Sequence, residues 1–406
     1  MQKEKLIPAI RFKGFDEEYI TNKTIDILNI ERGASPRPIN NYLAKNGINW
    51  VKISDAPASG YYITQTEDKI IPDGIKFSKQ VFPGDLILSN SMSFGRPYIM
   101  GIPGCIHDGW LKITDIDNKF DSVYLCTLFG TEQMIKKYKS LAAGSTVNNL
   151  SKELVAYTQI SYPAFKEQQK ISKFFSSLDY FIRSQELKLE KLQTIKQSLL
   201  IKMFASFGQK MPQVRFKNFD KKWEVILISE LLEVRNELSK KTDDFPLMAF
   251  ISKKGIVDKG DKYDRESLVS DAKNKPYKKT FYGDFIYSSN NLESGSIGMN
   301  RYGNALISPV YNIFRTKRDS NYINYLLCRK EVINNMVVWR QGVIYGQWRI
   351  HPSNFLSIQI ASSLSETEQQ KIGQFFSNLD SLIHSQEQKL EKLNNIKQAL
   401  LEKMFC

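Results

Sequence analysis

The sequence predicts an α+β protein with an internal pseudo-twofold repeat: two mixed α/β domains separated by two long helices that form an antiparallel coiled coil. Three observations predict this fold class. A long stretch of sequence occurs twice, each copy carries apolar residues at helical spacing, and the segments between the copies contain strand-like runs. The repeat predicts the domain organisation, the apolar spacing predicts the long helices, and the strand-like runs predict the mixed α/β domains.

The repeat consists of two pairs of matching stretches. Residues 167–204 and 368–405 are offset by 201 positions and agree at 27 of 38. A shorter pair, 7–16 and 211–220, is offset by 204 positions. Because an internal repeat determines the architecture, the chain divides into four predicted parts. The mixed α/β domains are residues 1–162 and 208–361, and the helical regions are residues 163–207 and 362–406.

Each long repeated stretch has the period of an amphipathic helix. Its apolar residues are spaced by 4, 7, 3, 7 and 4 positions in both copies, a heptad-like stripe. A helix of this length spans about 60 Å, and with one apolar stripe it needs a partner. The other copy, antiparallel, is the expected partner; packing of each helix on its own domain is the alternative. The predicted seam comprises Leu178, Ile182, Leu189, Leu192, Leu199, Met203, Leu379, Ile383, Leu390, Leu393, Leu400 and Met404.

The two segments between the repeats read as mixed α/β with many strands. Runs of apolar and β-branched residues bounded by Gly, Pro and Asp predict strands, and short helices are expected near 122–140 and 320–338. The two segments differ strongly in sequence, so one scaffold carries two different surfaces. The predicted strands are 50–54, 86–89, 157–160, 285–288, 305–307 and 356–360.

Composition favours a soluble intracellular protein. A hydrophobic content of 42% and a charged content of 25% are ordinary for a globular chain. There is no apolar run long enough for a membrane span, and the first residues lack the apolar core of a secretory signal. The four cysteines form no CxxC pair, which is typical of reduced thiols. We therefore expect a cytoplasmic location.

Charge favours a polyanionic partner. The net charge is +14, and Lys or Arg side chains that neutralise phosphates release condensed counterions. Residues 208–361 hold 25 basic and 16 acidic groups, whereas residues 1–162 hold 19 and 17. A generically basic soluble protein is the alternative interpretation.

Polar loops provide candidate nucleic-acid contacts. Arg and Lys match guanine, Asn and Gln match adenine, and Ser or Thr can serve either base, while the lysines among the candidates would more likely hold phosphates, which position a protein on DNA without specifying the sequence. Suitable loops follow the Gly-Asp strand of each half and recur late in each half. The candidates are Asn90, Ser91, Ser93, Arg96, Thr146, Asn148, Asn149, Lys253, Lys254, Lys278, Lys279, Asn290, Asn291, Arg340, Gln341, Tyr345, Gln347 and Arg349.

Motifs for catalysis are missing from the sequence. There is no GxxxxGK[ST] phosphate loop, no Asn-Pro-Pro-Tyr methylation box and no glycine-rich cofactor loop after a strand. The three histidines lie far apart, which disfavours metal clusters and catalytic triads. Residues 72–76 faintly suggest a nuclease core, but a turn explains them better. We therefore predict a non-catalytic chain without a metal ion or cofactor of its own.

The repeated motifs resemble the specificity (S) subunits of Type I restriction–modification systems. The resemblance covers essentially the whole chain and rests on E-Q-Q-K-I-x-x-F-F-S-x-L-D, K-L-E-K-L…I-K-Q-x-L-L-x-K-M-F and P-x-x-R-F-K-x-F. It implies two target-recognition domains that read the halves of a bipartite, asymmetric DNA site. It also implies helices that set the spacer and dock two methylation (M) subunits, which restriction (R) subunits join. S-adenosylmethionine, ATP and Mg would be bound by those partners. A coiled-coil adaptor without DNA reading, or an enzyme with an unrecognised nuclease or methyltransferase site, are the alternatives.

Overall fold

The computed structural model describes residues 6–57, 60–90, 95–115, 117–142, 150–252, 254–258, 276–343 and 347–406. The chain divides into two compact units. The first unit combines residues 1–186 with residues 388–406, and the second unit is the continuous stretch 187–387. Within the described ranges, none of the helices is both long enough and apolar enough to cross a membrane.

The described residues of the first unit form twelve strands, three short helices and part of each long helix. The strands are β1 (Ile20–Lys23), β2 (Leu28–Arg32), β3 (Leu43–Ala44), β4 (Ile48–Val51), β5 (Tyr62–Ile63), β6 (Asp68–Ile70), β7 (Lys79–Val81), β8 (Leu86–Ser89), β9 (Pro97–Met100), β10 (Gly104–Ile106), β11 (Trp110–Asp115) and β12 (Gln159–Tyr162). The helices are α1 (Ser122–Phe129), α2 (Glu132–Ala142), α3 (Lys152–Tyr157) and the long α4 (Phe165–Lys202), whose residues after 186 belong to the second unit.

Two five-stranded sheets build the first unit, in the orders β2-β11-β8-β9-β5 and β3-β6-β4-β10-β7. Strand β8 is buried along its whole length and pairs antiparallel with β11, Leu88 opposite Leu111. A separate antiparallel pair joins β1 to β12. Strand β8 therefore ends inside the unit, and the loop that follows it starts from a rigid position.

The second unit repeats this plan, and its described residues form sheets with fewer strands. Its strands are β13 (Glu224–Leu227), β14 (Leu232–Arg235), β15 (Leu238–Ser239), β16 (Ala249–Ile251), β17 (Gly255–Val257), β18 (Tyr277–Thr280), β19 (Phe285–Tyr287), β20 (Ile297–Met299), β21 (Ala305–Ile307), β22 (Asn312–Thr316), β23 (Gln341–Val343), β24 (Gln347–Arg349) and β25 (Gln359–Ser362). Its helices are α5 (Ser320–Leu327), α6 (Lys330–Val337), α7 (Pro352–Leu356) and the long α8 (Glu366–Met404), whose residues from 388 onward belong to the first unit.

The sheets of the second unit have the orders β14-β22-β19-β20 and β15-β18-β21, with pairs β16-β17, β13-β25 and β23-β24. The pair β13-β25 occupies the position that β1-β12 has in the first unit, immediately before a long helix. Strand β19 is fully buried and corresponds to β8. The two halves therefore share a framework although their intervening sequences differ.

The short and long repeated motifs touch each other in each unit. Arg11 donates two hydrogen bonds to the carboxylate of Glu167, at 2.9 and 2.7 Å. Arg215 and Glu368 repeat this geometry in the second unit. Both carboxylates are almost completely buried, and a buried carboxylate needs such charge-assisted bonds. The Arg of the first motif and the Glu of the second therefore form one structural element.

The end of each long helix lies in a hydrophobic core. Phe405, just past α8, stacks on Tyr124 of α1 at 5.5 Å between ring centroids and belongs to the core of the first unit. Phe204, just past α4, lies 5.7 Å from Tyr322 of α5 in the core of the second unit. Each core thus contains the beginning of one long helix and the end of the other.

Polar contacts show that α4 and α8 run antiparallel in each unit. In the first unit Lys397 pairs with Asp179, and Lys389 donates to Gln185. In the second unit Lys196 pairs with Asp380, and Gln193 donates to Glu387. All twelve predicted seam residues are buried or partly buried. Five of them are buried: Ile182, Met203, Leu379, Leu390 and Met404.

Four predicted strands have different bounds in the structure. The strand predicted at 285–288 ends at Tyr287, and the other three differ for local reasons. The strand predicted at 50–54 ends at Val51 because the carboxylate of Asp55 accepts the Lys52 N–H at 2.6 Å and a 3-10 turn follows. The strand predicted at 157–160 starts at Gln159 because Ser151 caps α3, which continues to residue 157. The strand predicted at 356–360 starts at Gln359 because α7 precedes it.

Candidate nucleic-acid interface

In the second unit, the loop after β19 meets the late loop that the sequence also singled out. The side-chain oxygen of Asn290 accepts the backbone N–H of Trp348 at 2.6 Å. Arg340 pairs with Glu293 at 2.7 Å. Ser289 accepts the N–H of Ile350 at 3.0 Å. Two loops about fifty positions apart in sequence therefore form one surface.

The late loop forms a two-stranded antiparallel ribbon from β23 and β24, here called the ribbon. Gln341 lies opposite Arg349, and Gly342 lies opposite Trp348. Because successive residues of a strand alternate between faces, Gln341 and Arg349 share one face and Trp348 lies on the other. All three side chains are exposed. A two-stranded ribbon fits the major groove of B-DNA, where Gln and Arg can read base edges.

Lys278 adds positive charge close to this ribbon. Its ammonium donates to the carbonyl of Tyr311 at 2.9 Å. Burial and then the positive charge of Arg349 lower the pKa of Lys278. This mutual repulsion would be relieved by an anion placed between the two cations.

Two other predicted lysines of this half, Lys254 and Lys279, do not join the ribbon. Lys279 follows Lys278 on β18 and lies 4.6 Å from the ring centroid of Phe245. Lys254 lies in the connection between β16 and β17, where it lines a separate cavity with Arg301. Lys253 and Tyr345 lie outside the described residues, as does the side chain of Gln347. A role of these residues in DNA contact stays a prediction.

Two further candidates of the second unit have structural contacts. Arg340 has a side chain that is only 12% exposed, and its Nε and Nη2 atoms have no hydrogen-bond partner among the described residues. The carbonyl of Asn291 accepts the N–H of Ser296 at 2.9 Å, while its side chain is exposed. Arg340 therefore holds the ribbon against the loop through Glu293, and Asn291 remains accessible to a ligand.

In the first unit, Asn90 joins the corresponding loops. Its carbonyl accepts the N–H of Leu150 at 2.8 Å, and its side-chain amide donates to the carbonyl of Asp108 at 2.9 Å. Asn90 is only 4% exposed, so its side chain holds the loops together. Five candidates of this half lie outside the described residues: Ser91, Ser93, Thr146, Asn148 and Asn149.

Arg96 is exposed at the end of the first of these loops. Its guanidinium lies 5.2 Å from the ring centroid of Tyr98, and it lines a cavity with Asp179 and Arg183 of α4. The structure thus brings Asn90 to the loop junction and places the Arg96 side chain against the helical part of the same unit.

Sequence reasoning missed a polar cluster around Asp108 in the first unit. The carboxylate of Asp108 accepts from Ser35 and from Arg37, each at 3.0 Å. The Arg37 side chain is 80% exposed. These residues lie more than seventy positions apart in isolated loops, so no spacing or periodicity could have identified them. They extend the surface that begins at Asn90.

A family model matches part of the chain, and related proteins match it as well. Residues 17–197 match the model described as the Type I restriction modification DNA specificity domain. The MjaIX specificity subunit of a Type I restriction enzyme from Methanocaldococcus jannaschii is 25% identical over 282 residues, covering 66% of this chain and 65% of the relative. The MjaVIII specificity subunit of the same organism is 23% identical over 202 residues, 47% of each chain. The matched region thus spans less than two thirds of either relative.

Solved structures share the fold over nearly the whole chain. The Type I restriction–modification S subunit from M. genitalium has a TM-score of 0.58 at 13% identity, covering 98% of this chain and 99% of that one. A chain from a structure described as the basis of complex assembly and conformational transition of the type I R-M system has a TM-score of 0.56 at 13% identity, with coverages of 96% and 98%. The predicted fold class is confirmed. Residues 17–197 thus match the family model of the Type I restriction modification DNA specificity domain, and the predicted resemblance to Type I specificity subunits is confirmed.

Proposed function

We propose that this chain is the DNA-recognising subunit of a Type I restriction–modification complex. Residues 1–162 and 208–361 are two target-recognition domains, and each reads one half of a bipartite site. One observation carries the proposal: in each unit, the loop after a buried strand contacts a loop late in the unit. Asn90 contacts Leu150 in the first unit, and Asn290 contacts Trp348 in the second. Sites that read bases need such polar loops on a rigid support.

The site is asymmetric because the two surfaces differ. The second unit offers the ribbon with Gln341 and Arg349, whereas the first unit offers a cluster around Asp108 with Arg37. Different donors and acceptors select different bases. Joining two weak readers in one chain raises their effective concentration, so affinity and specificity exceed those of either reader alone.

The helical regions, residues 163–207 and 362–406, set the spacer between the half-sites and dock two methylation subunits. Two readers held by stiff helices bind together only where the spacer suits the turn of B-DNA, about 34–36 Å. The antiparallel contacts of α4 with α8 in each unit support a stiff pairing.

The chain itself carries out no catalysis in this proposal. The methylation subunits bind S-adenosylmethionine and methylate adenine, and the restriction subunits supply ATP- and Mg-dependent cleavage. The complex acts in the cytoplasm, where its DNA substrate is accessible. In the described part of the chain, no group of three or more His, Cys, Asp or Glu side chains is arranged to hold a metal ion.

Mapping of DNA methylation tests the proposal directly. The full chain is expressed with its methylation subunit in a host that lacks adenine methylation, and the methylated adenines are identified by sequencing. We expect one bipartite motif with unequal halves and a fixed spacer. A matched culture without this chain should show none. Methylation of the same motif in both cultures, or of none in either, would contradict the proposal.

Salt dependence separates a DNA reader from a protein adaptor. The affinity of the chain with its methylation subunit for duplex DNA should fall by about 10³–10⁵ between about 50 and 200 mM salt if six to ten phosphates are contacted. An affinity independent of salt would favour the adaptor. Cleavage or methylation of DNA by the isolated chain would favour an enzyme instead.

A further inference from the structure

A large cavity lies within the second unit, away from the ribbon. Its volume is about 1210 Å³, and it is lined by the last turns of α4 and by parts of α5, α6, α8 and β20. Small-molecule pockets usually measure about 300–1,000 Å³. The size of this cavity therefore suits a segment of a macromolecule better than a metabolite.

The cavity combines an apolar floor with a basic rim. Leu200, Ile201, Ile297 and Met299 provide apolar surface, and Ile201 is 68% exposed. Exposed apolar surface rimmed by polar residues marks interaction sites. The charged lining residues are five cations and two anions: Lys196, Lys254, Arg301, Arg329, Lys330, Glu331 and Asp380.

Both anions of the cavity are already engaged. Asp380 pairs with Lys196 at 2.5 Å and accepts the hydroxyl of Tyr325 at 2.6 Å. Glu331 accepts the backbone N–H of Phe207 at 2.6 Å and lies 3.7 Å from Arg329.

Two cations of the rim, Lys254 and Lys330, have no carboxylate partner among the residues that the structure describes. Among the described residues, neither Lys254 nor Lys330 has an acidic side chain within 4.0 Å, and both are exposed. Arg301 lies 4.0 Å from Asp380. The rim therefore offers positive charge to an occupant from outside.

The corresponding corner of the first unit differs. Its cavity measures about 560 Å³. Lys397 pairs with Asp179 at 2.5 Å, and Arg183 pairs with Glu186 at 3.2 Å. Its charges are largely neutralised within the unit, so this corner provides a matched comparison.

We propose that the cavity of the second unit docks an acidic, amphipathic helical segment of a protein partner. Leucine-type side chains of that segment pack on Ile201 and Met299, and its carboxylates face Lys254 and Lys330. Duplex DNA fits less well, because its phosphates gain nothing from the apolar floor and meet the carboxylates of Asp380 and Glu331. This inference does not depend on DNA reading, since the residues of the ribbon take no part in it.

A designed peptide tests the proposal on the full chain. The probe is a fluorescein-labelled helical peptide of about 15 residues, with Leu at i, i+3, i+4 and i+7 positions and Glu elsewhere. The control peptide carries Lys in place of Glu, and a random duplex of about 30 base pairs tests DNA. Fluorescence anisotropy should show binding of the Glu peptide and a much weaker signal with the Lys peptide.

Variants locate the binding. The double variant Lys254→Glu with Lys330→Glu should bind the Glu peptide at least about tenfold more weakly. Ile201→Ser should also lower the affinity for the Glu peptide, without any change of charge. Arg183→Glu in the first unit should leave it unchanged. Both lysines are exposed, and a Glu at the start of α6 is favourable there, so the variants should fold, as circular dichroism can verify. Three results would overturn the proposal. The Glu and Lys peptides could bind equally well, or the Glu peptide could bind the cavity variants as well as it binds the wild type. The third is that the cavity variants lose binding of the duplex while they still bind the Glu peptide.

Discussion

Arg215 donates two hydrogen bonds to the carboxylate of Glu368, at 2.5 and 2.8 Å, across 153 positions of sequence. The indole of Trp223 donates to the same carboxylate at 3.2 Å. The Glu368 side chain has no exposure to solvent. The pair therefore fixes the start of α8 against the opening motif of its unit, as Arg11 and Glu167 do for α4.

Removing this arginine should strongly destabilise the second unit. In Arg215→Ala, the buried carboxylate loses its charged partner, and breaking a buried pair typically costs about 3–5 kcal/mol of unfolding free energy. Urea denaturation of the full chain measures the effect. Arg318→Ala, which removes a pair with the exposed Glu366, should cost less than about 1 kcal/mol. Equal losses of unfolding free energy in the two variants would show that the buried pair contributes no more stability than the exposed pair.

The stability contributed by Glu368 should depend on pH. Burial raises the pKa of Glu368, but hydrogen bonds from Arg215 and Ser363 outweigh burial and lower the pKa below its ordinary value of 4.5. A lowered folded-state pKa means that the contribution is complete above pH 4.5 and is lost as the pH falls through the folded-state value. The difference in unfolding free energy between the wild type and Glu368→Gln should therefore shrink below pH 4.5. A difference that stays constant over the acid range would contradict this assignment, and Glu366→Gln serves as the control.

Truncating the aromatic ends of the long helices should affect different units. Phe204→Ala removes a ring packed on Trp223 and Phe376, and a buried Phe→Ala change costs about 3–5 kcal/mol. Hydrogen exchange should then accelerate in α5, whereas Phe405→Ala should accelerate exchange in α1. The half-exposed Phe207 provides the control, because Phe207→Ala should leave both helices protected. The same exchange pattern in both core variants would disprove the assignment of the two ends to separate cores.

Adding one methyl group at Gly373 should destabilise the chain, although Gly→Ala within a helix usually stabilises by about 1 kcal/mol. A Cβ atom there would lie 2.3 Å from Oδ1 of Asp319 and 2.8 Å from the backbone nitrogen of Tyr322. Overpacking costs about 1–3 kcal/mol, so the clash should outweigh the gain in helix propensity. We expect a lower melting temperature for Gly373→Ala. The control Ser381→Ala, at an exposed position of the same helix, should leave the melting temperature unchanged. A raised melting temperature in the first variant would refute the steric argument.

If the ribbon reads bases, Arg349→Ala should relax specificity at one position of one half-site. A bidentate contact contributes about 1–3 kcal/mol of discrimination. Methylation mapping with the variant should show one degenerate position and an unchanged second half-site. Arg315→Ala removes the same charge from an exposed position on β22 and should leave the motif intact. Degeneracy in both half-sites, or in neither, would argue against this role of the ribbon.

The long helices could be predicted closely because a repeat fixes their extent and an apolar stripe fixes their buried side. The pattern did not identify what covers that side. Met203 and Met404 were predicted as seam residues; both belong to the hydrophobic cores of the units, and their part in a helix–helix seam stays a prediction. Periodicity indicates which residues are buried, whereas their neighbours depend on tertiary structure.

The candidate interface was predictable only in part. Loops rich in Asn, Gln and Arg could be selected, and Asn290 and the ribbon do meet. The burial of Asn90 and the contact of Lys279 with Phe245 could not be foreseen, because both depend on which face of a strand is covered. The cluster of Ser35, Arg37 and Asp108 joins distant loops, and no local signal marks it.

The placement of Phe405 has a consequence for the order in which the protein is completed on the ribosome. Domains usually fold from the N-terminus onward as they are synthesised. The second unit is one uninterrupted stretch that is fully synthesised before residue 388. The first unit, which begins earlier, lacks Met404 and Phe405 from its core until translation reaches them. The core of the unit made first therefore lacks these two side chains throughout the synthesis of the second unit.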